Sequence, residues 1–131
     1  MINFFTKYKF IFYVCNFILI LIYLFPGSLL GCILYGDCKL QPQITKDFII
    51  SSNHLYAFIV FSIIGYLTFK KKTQYILLSF YLITLSIILE IFHYFIPERN
   101  FEFPDLFGNL AGVIIVIIIF YLFKKNENFK N

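Results

Sequence analysis

The fold of this chain is decided by residues 105–123, "DLFGNLAGVIIVIIIFYLF", its most apolar stretch. An apolar run of about 20 residues crosses the hydrocarbon core of a bilayer as a helix. Lipid offers no hydrogen-bond partners to the backbone, whereas a helix satisfies its own N–H and C=O groups. We therefore predict a transmembrane helix over about 105–123, closed by Lys124 and Lys125.

The rest of the sequence has the same character. Of 131 residues, 60% are hydrophobic and 14% charged, with 19 Phe, no Trp and a mean hydropathy of +0.83, which is typical of membrane proteins. Three further apolar stretches predict helices over about 8–25, 53–69 and 74–96. The sequence thus predicts an all-α membrane bundle of four transmembrane helices, a single domain over residues 1–131 with no room for a soluble one.

The positive residues predict the orientation. Eight lie on one predicted side, namely Lys7, Lys9, Lys70, Lys71, Lys72, Lys124, Lys125 and Lys130. Three lie on the other, namely Lys39, Lys46 and Arg99. Since positive residues near helix ends are retained in the cytoplasm, we predict that both termini are cytoplasmic. The net charge of +4 then reflects topology, and no nucleic-acid partner is predicted.

The cysteines leave two interpretations open. Cys32 and Cys38 lie in a predicted extracytoplasmic loop, where either a disulfide or two free thiols would fit. The stretch "SLLGC" before and including Cys32 is similar to a lipoprotein processing box, but Pro26-Gly27 interrupts that pattern and we expect an uncleaved first helix. Cys15 lies in an apolar helix and suits packing.

Polar residues share helix faces near the predicted outer side. Asp105, Asn109 and Gly112 stand at i, i+4 and i+7 of the last helix. Glu90 and His93 share a face of the preceding helix. An ionised carboxylate in the membrane centre costs about 2.5 to 3.5 kcal/mol on insertion scales, so Glu90 needs a partner. We expect Arg99 to be this partner, with His54 and His93 as further donors.

Six polar residues are expected at one depth, although they come from three helices. They are His54, Glu90, His93, Arg99, Asp105 and Asn109. Such groups can act purely structurally, Asp105 as a helix cap and the others as polar contacts between helices. Ionisable residues inside membranes are costly, however, and usually mark a functional site, so we predict an outward-facing polar pocket.

At these residues the sequence resembles the VanZ-like membrane proteins, most strongly over 48–120. The family pattern has a His at a helix start, a Glu-x-x-Gln, an Arg, an Asp six residues later, and Asn and Gly after four and three more. Here these positions are His54, Glu90, His93 in place of Gln, Arg99, Asp105, Asn109 and Gly112. The named member of the family is associated with low-level teicoplanin resistance, which we do not assign to this chain.

Three functions follow as hypotheses. The first is an accessory or binding role toward a cell-envelope lipid, wall precursor or glycopeptide-like ligand, with Arg99 engaging a phosphate or carboxylate. The second is a membrane-embedded hydrolase or transferase acting on a lipid-linked phosphate or ester, with His54, Glu90, His93 and Asp105 as catalytic candidates.

The third hypothesis is a metal site at His54, Glu90 and His93. It is the weakest, because Glu-x-x-His sites in bundles occur in pairs with added glutamates. We therefore predict neither a metal nor another cofactor, and expect membrane lipids as partners. The oligomeric state is left open.

Overall fold

The structure is a computed structural model that describes residues 4–128, with side chains over 8–126. Lys130 and the side chain of Lys7, used above for topology, lie outside the described residues. Five helices make up the described chain: α1 (Phe4–Leu24), α2 (Leu29–Tyr35), α3 (Ser52–Thr68), α4 (Lys72–Phe92) and α5 (Phe103–Asn128). No strand occurs within 4–128, and the all-helical prediction is confirmed.

The apolar helices are those of a membrane protein. Both α4 and α5 are long and apolar enough to cross a bilayer. The helices α1 and α2 form one apolar pair bent by 85°, which makes a third span if counted as one, while α3 has only 17 residues. Two or three spans are therefore supported, and not clearly the four predicted. Large apolar side chains such as Phe17 and Phe80 are exposed on the outside, as lipid contact requires.

The helix α2 was not predicted, and local capping explains it. The hydroxyl of Ser28 accepts a hydrogen bond from the Gly31 backbone N–H at 3.0 Å at the helix start. Gly36 ends the helix with a left-handed φ of 67°, the usual glycine C-cap. A Cβ on Gly31 would lie 1.8 Å from the Leu40 carbonyl oxygen, so the chain can fold back over α2 only at a glycine.

A disulfide joins Cys32 in α2 to Cys38 in the segment that follows. The sequence alone did not distinguish this bridge from two free thiols. The third cysteine, Cys15, is free and half-buried in α1. The Ser28 N–H also donates to the Cys38 carbonyl at 2.7 Å, so the bridge and this bond together hold Cys38 against the first turn of α2.

Close packing of α3 on α5 forms the centre of the bundle. A Cβ on Gly108 would lie 2.7 Å from the Ser51 carbonyl oxygen, and one on Gly112 would lie 2.7 Å from the Leu55 carbonyl oxygen. Small residues let membrane helices approach in this way. Two glycines one turn apart thus bring the polar face of α5 against the first turns of α3, which carry His54.

The helix α4 ends at Phe92, four residues earlier than predicted. Tyr94 and Phe95 bond to carbonyls three residues back, as tight turns do. Pro97 has no N–H and disfavours helical geometry before it, so the chain leaves the helix here. Glu98 then adopts a φ of 63°, the one non-glycine positive φ in the described chain. This turn directs Arg99 back toward α1.

Candidate functional site

Glu90 lies at the centre of the polar cluster and is fully buried at the end of α4. Its Oε1 is 3.1 Å from His93 Nδ1 and accepts the backbone N–H of Glu102 at 3.2 Å. Its Oε2 accepts the Asn109 amide at 3.5 Å. A buried carboxylate is tolerated when such donors surround it.

His54 connects α3 to two residues of α5. Its Nε2 lies 3.3 Å from Asp105 Oδ2. Its Nδ1 lies 3.1 Å from Asn109 Oδ1 and 3.7 Å from Glu90 Oε2. The imidazole is 4% exposed. Contacts at both ring nitrogens therefore fix the orientation of the imidazole. The close packing of α3 on α5 at Gly108 brings His54 near enough to α5 for these contacts.

Tyr23, which sequence reasoning missed, joins the cluster from α1. Its hydroxyl donates to Asn109 Oδ1 at 2.7 Å, and its backbone carbonyl lies 3.1 Å from His93 Nε2. The phenol is 5% exposed. The chain has ten tyrosines, so the residue type alone is uninformative. The one weak signal in the sequence is that Tyr23 lies three residues before Pro26, near the end of the predicted first helix.

Two backbone groups were also missed. The Ser86 carbonyl accepts the Asn109 amide at 3.3 Å. The backbone N–H of Glu102 donates to Glu90 Oε1 at 3.2 Å. Backbone groups leave no trace in residue types, so no sequence pattern would have found them.

Arg99 does not pair with Glu90, contrary to the expectation from sequence. Its Nε donates to the Phe25 carbonyl at 3.3 Å and its Nη2 to the Ile22 carbonyl at 3.1 Å. These carbonyls end α1, where a cation is favoured by the helix dipole. Within the described chain no carboxylate lies within ion-pair distance of Arg99. Partial burial lowers the pKa of Arg99 from its ordinary value, but a guanidinium stays charged at neutral pH.

An apolar cleft adjoins this cluster. It has a volume of about 580 Å³ and lies between α1, residues 28–44 and α3. Its walls include Leu19 and Ile22 from α1 and Val60 from α3, and its polar end holds His54 and Arg99. From His54 to Ile64 it follows α3 for about 15 Å, at about 1.5 Å per residue. The cleft is of the size that binds small ligands in other proteins.

The geometry limits what the cluster can do chemically. Both ring nitrogens of His93 face protein groups, so His93 completes no metal set with His54 and Glu90. The group with metal-ligand spacing is instead His54, Glu90 and Asp105, whose ligand atoms lie within 4.8 Å of one another. His54 is only 4% exposed, which gives a substrate little access to either ring nitrogen and disfavours its use as a nucleophile.

Comparisons with protein-family models, curated proteins and solved structures found no match for this chain. The site must therefore be interpreted from its own geometry.

Proposed function

We propose that the chain is a four-span, VanZ-like protein of a bacterial cytoplasmic membrane that binds an anionic envelope lipid from the extracytoplasmic side. The observation that carries the proposal is the apolar cleft with Arg99 at its polar end. Its walls suit an acyl or isoprenoid chain, and its cation suits a phosphate or carboxylate head.

Charge complementarity favours an anion. Arg99 uses its Nε and Nη2 on carbonyls, which hold the guanidinium in place and leave Nη1 donors for a ligand. No carboxylate among the described residues neutralises it at ion-pair distance. A head group at Arg99 would thus meet a positive charge whose position is already fixed.

The proposed orientation has support from the ends of the bundle. Lys124 lies over the ring of Tyr75 at 3.8 Å, so the end of α5 meets the first turn of α4 and the nearby run 70–72. Glu90 lies at the opposite end of α4. Lysines therefore gather at the end away from the polar site, as expected if that end is cytoplasmic.

A lipid-retention experiment tests the role of Arg99. Protein from nanodiscs with equal phosphatidylglycerol and phosphatidylcholine is released into mild detergent, and retained lipid is identified by native mass spectrometry. We expect preferential retention of phosphatidylglycerol, falling at least about tenfold in Arg99→Gln because a charge-assisted contact is lost. Lys39→Gln removes an exposed positive charge at the same end and should retain lipid. Equal retention by both variants would contradict the proposal.

A second pair of variants tests the cleft. Val60 lines it, whereas Ile63, three residues on, is exposed on α3 outside it. Val60→Trp should fill the cleft and abolish retention, and Ile63→Trp should not. If Val60→Trp retains lipid as the unsubstituted protein does, the lipid lies elsewhere.

The hydrolase alternative has less support, because the His54 imidazole is almost fully buried. The same nanodiscs test it. Head-group release by the unsubstituted protein and not by His54→Ala would replace binding with catalysis.

A further inference from the structure

The side chains of His54 and Asp105 meet at Nε2 and Oδ2, which lie 3.3 Å apart. The Asn109 amide nitrogen donates to the Ser86 carbonyl, which fixes the amide and turns Oδ1 toward His54 Nδ1 at 3.1 Å. The Tyr23 hydroxyl also lies 3.3 Å from Nδ1, and Nδ1 carries the hydrogen in the tautomer that donates to Asn109. In that tautomer Nε2 presents a lone pair toward Asp105 Oδ2 at 3.3 Å.

A proton or a metal ion can bridge such a contact, and its spacing suits a metal ion. Zinc binds imidazole nitrogen and carboxylate oxygen at about 2.0 to 2.1 Å, so two ligands of a tetrahedral ion lie about 3.4 Å apart. The 3.3 Å between His54 Nε2 and Asp105 Oδ2 agrees with this value.

A third ligand of suitable type is close. One ligand atom each from His54, Glu90 and Asp105 lies within 4.8 Å of the others, and Glu90 Oε2 is 3.7 Å from His54 Nδ1. Because this spacing exceeds that of a closed tetrahedral site, Glu90 would shift toward the ion or hold it through a water molecule. The three ligands come from three helices, and two of them are buried.

The surroundings of His54 are also those of a metal ligand. Histidine ligands usually donate their second ring N–H to an oxygen that fixes the tautomer and the ring plane. Asn109 Oδ1 supplies this oxygen at Nδ1, and Tyr23 in turn donates to Asn109 Oδ1 at 2.7 Å. His93 has no ring nitrogen open to a metal ion, since its two nitrogens face Glu90 and the Tyr23 carbonyl.

We propose that His54, Glu90 and Asp105 form a binding site for a divalent transition-metal ion of the Zn²⁺ type. One imidazole and two carboxylates suit Zn²⁺ better than Ca²⁺ or Mg²⁺, which prefer oxygen ligands alone. Three protein ligands leave one position of a tetrahedral ion for water or another ligand. The two carboxylates balance the charge of the ion, which makes its burial possible.

Metal analysis of the purified full chain tests this site. The protein is dialysed against micromolar ZnCl₂, freed of loose metal by desalting, and analysed for zinc by mass spectrometry and by competition with a chromophoric chelator. We expect about one zinc per chain. Asp105→Asn keeps the shape of the side chain but weakens metal binding, and should reduce zinc affinity at least tenfold. His54→Gln should do the same.

Glu98→Gln serves as the matched control, because it removes an exposed carboxylate at the same end of the bundle. It should bind zinc as the unsubstituted chain does, and circular dichroism should show equal helicity in all four proteins. Equal zinc affinity in Asp105→Asn and the unsubstituted chain would overturn the proposal, as would an unsubstituted chain that retains no zinc. This inference does not rest on lipid binding, since Arg99 and Val60 variants leave its ligands in place.

Discussion

The hydroxyl of Tyr23 donates to Asn109 Oδ1 at 2.7 Å and so joins α1 to α5 across 86 residues of sequence. Asn109 Oδ1 also lies 3.1 Å from His54 Nδ1, and the backbone carbonyl of Tyr23 lies 3.1 Å from His93 Nε2. Tyr23 therefore connects the first helix to each of the other three that build the site.

Removal of this hydroxyl should weaken the bundle measurably. Tyr23→Phe deletes a buried hydrogen bond while keeping the ring, and we expect a loss of about 1 kcal/mol in the free energy of unfolding. Equilibrium unfolding in detergent would measure it. Tyr13→Phe is the control, because the Tyr13 side chain is exposed and has no hydrogen bond within the described chain. Equal stability of the two variants would show that the Tyr23 bond contributes little.

Bulk at Gly112 should separate α3 from α5. In Gly112→Val the new Cβ would lie 2.7 Å from the Leu55 carbonyl oxygen and 3.0 Å from Phe58 Cβ. Overpacking of this kind costs about 1 to 3 kcal/mol, which thermal unfolding followed by circular dichroism would detect. The neighbouring substitution Ala111→Val should cost less, since Ala111 is only half-buried. A stable Gly112→Val variant would mean that the helices can shift without penalty.

The Glu90 and His93 side chains should be energetically coupled. Glu90→Leu removes the carboxylate beside His93 Nδ1, which also accepts the Glu102 N–H and one of the two Asn109 amide contacts. Loss of one partner of a buried pair costs about 3 to 5 kcal/mol. His93→Leu added to Glu90→Leu should cost less than the sum of the two single changes, because the remaining partner is also removed. A double-mutant cycle of unfolding free energies measures the difference. Strict additivity would refute the coupling.

The disulfide should protect the segment between α2 and α3. Without it, residues 36–50 would be held by fewer contacts, so trypsin should cut at Lys39 or Lys46 faster in Cys38→Ser than in the unsubstituted chain. Peptide mass spectrometry would identify the cuts. In a Cys15→Ser background, maleimide should label two thiols only after reduction. Labelling without reduction would show that the bridge does not form.

Helix periodicity and the positions of the apolar stretches predicted which polar side chains would lie close together. Asp105 and Asn109 share a face one turn apart, and Glu90 lies at the matching end of the preceding helix. The structure brings these three together with His54 and His93. Arg99 is nearby but binds carbonyls of α1, because the turn through Pro97 and Glu98 sets its direction.

What escaped sequence reasoning depends on tertiary packing or on local turns. Tyr23 is one of many aromatic residues in the sequence, and only the packing of α1 against the other helices places its hydroxyl in the cluster. The short helix α2 needed a serine cap and a glycine end in a segment that appeared to be loop. The metal set of His54, Glu90 and Asp105 has no local spacing motif, since each ligand lies on a different helix.

The shortness of α3 has a consequence for the lipid around it. At about 1.5 Å per residue its 17 residues measure about 25 Å, whereas the hydrocarbon core of a bilayer is about 30 Å thick. If α3 spans the membrane as proposed, local thinning of the bilayer is one way to relieve this mismatch. Head groups would then sink toward the depth of His54 and Arg99, so a lipid could enter the cleft sideways without leaving the bilayer.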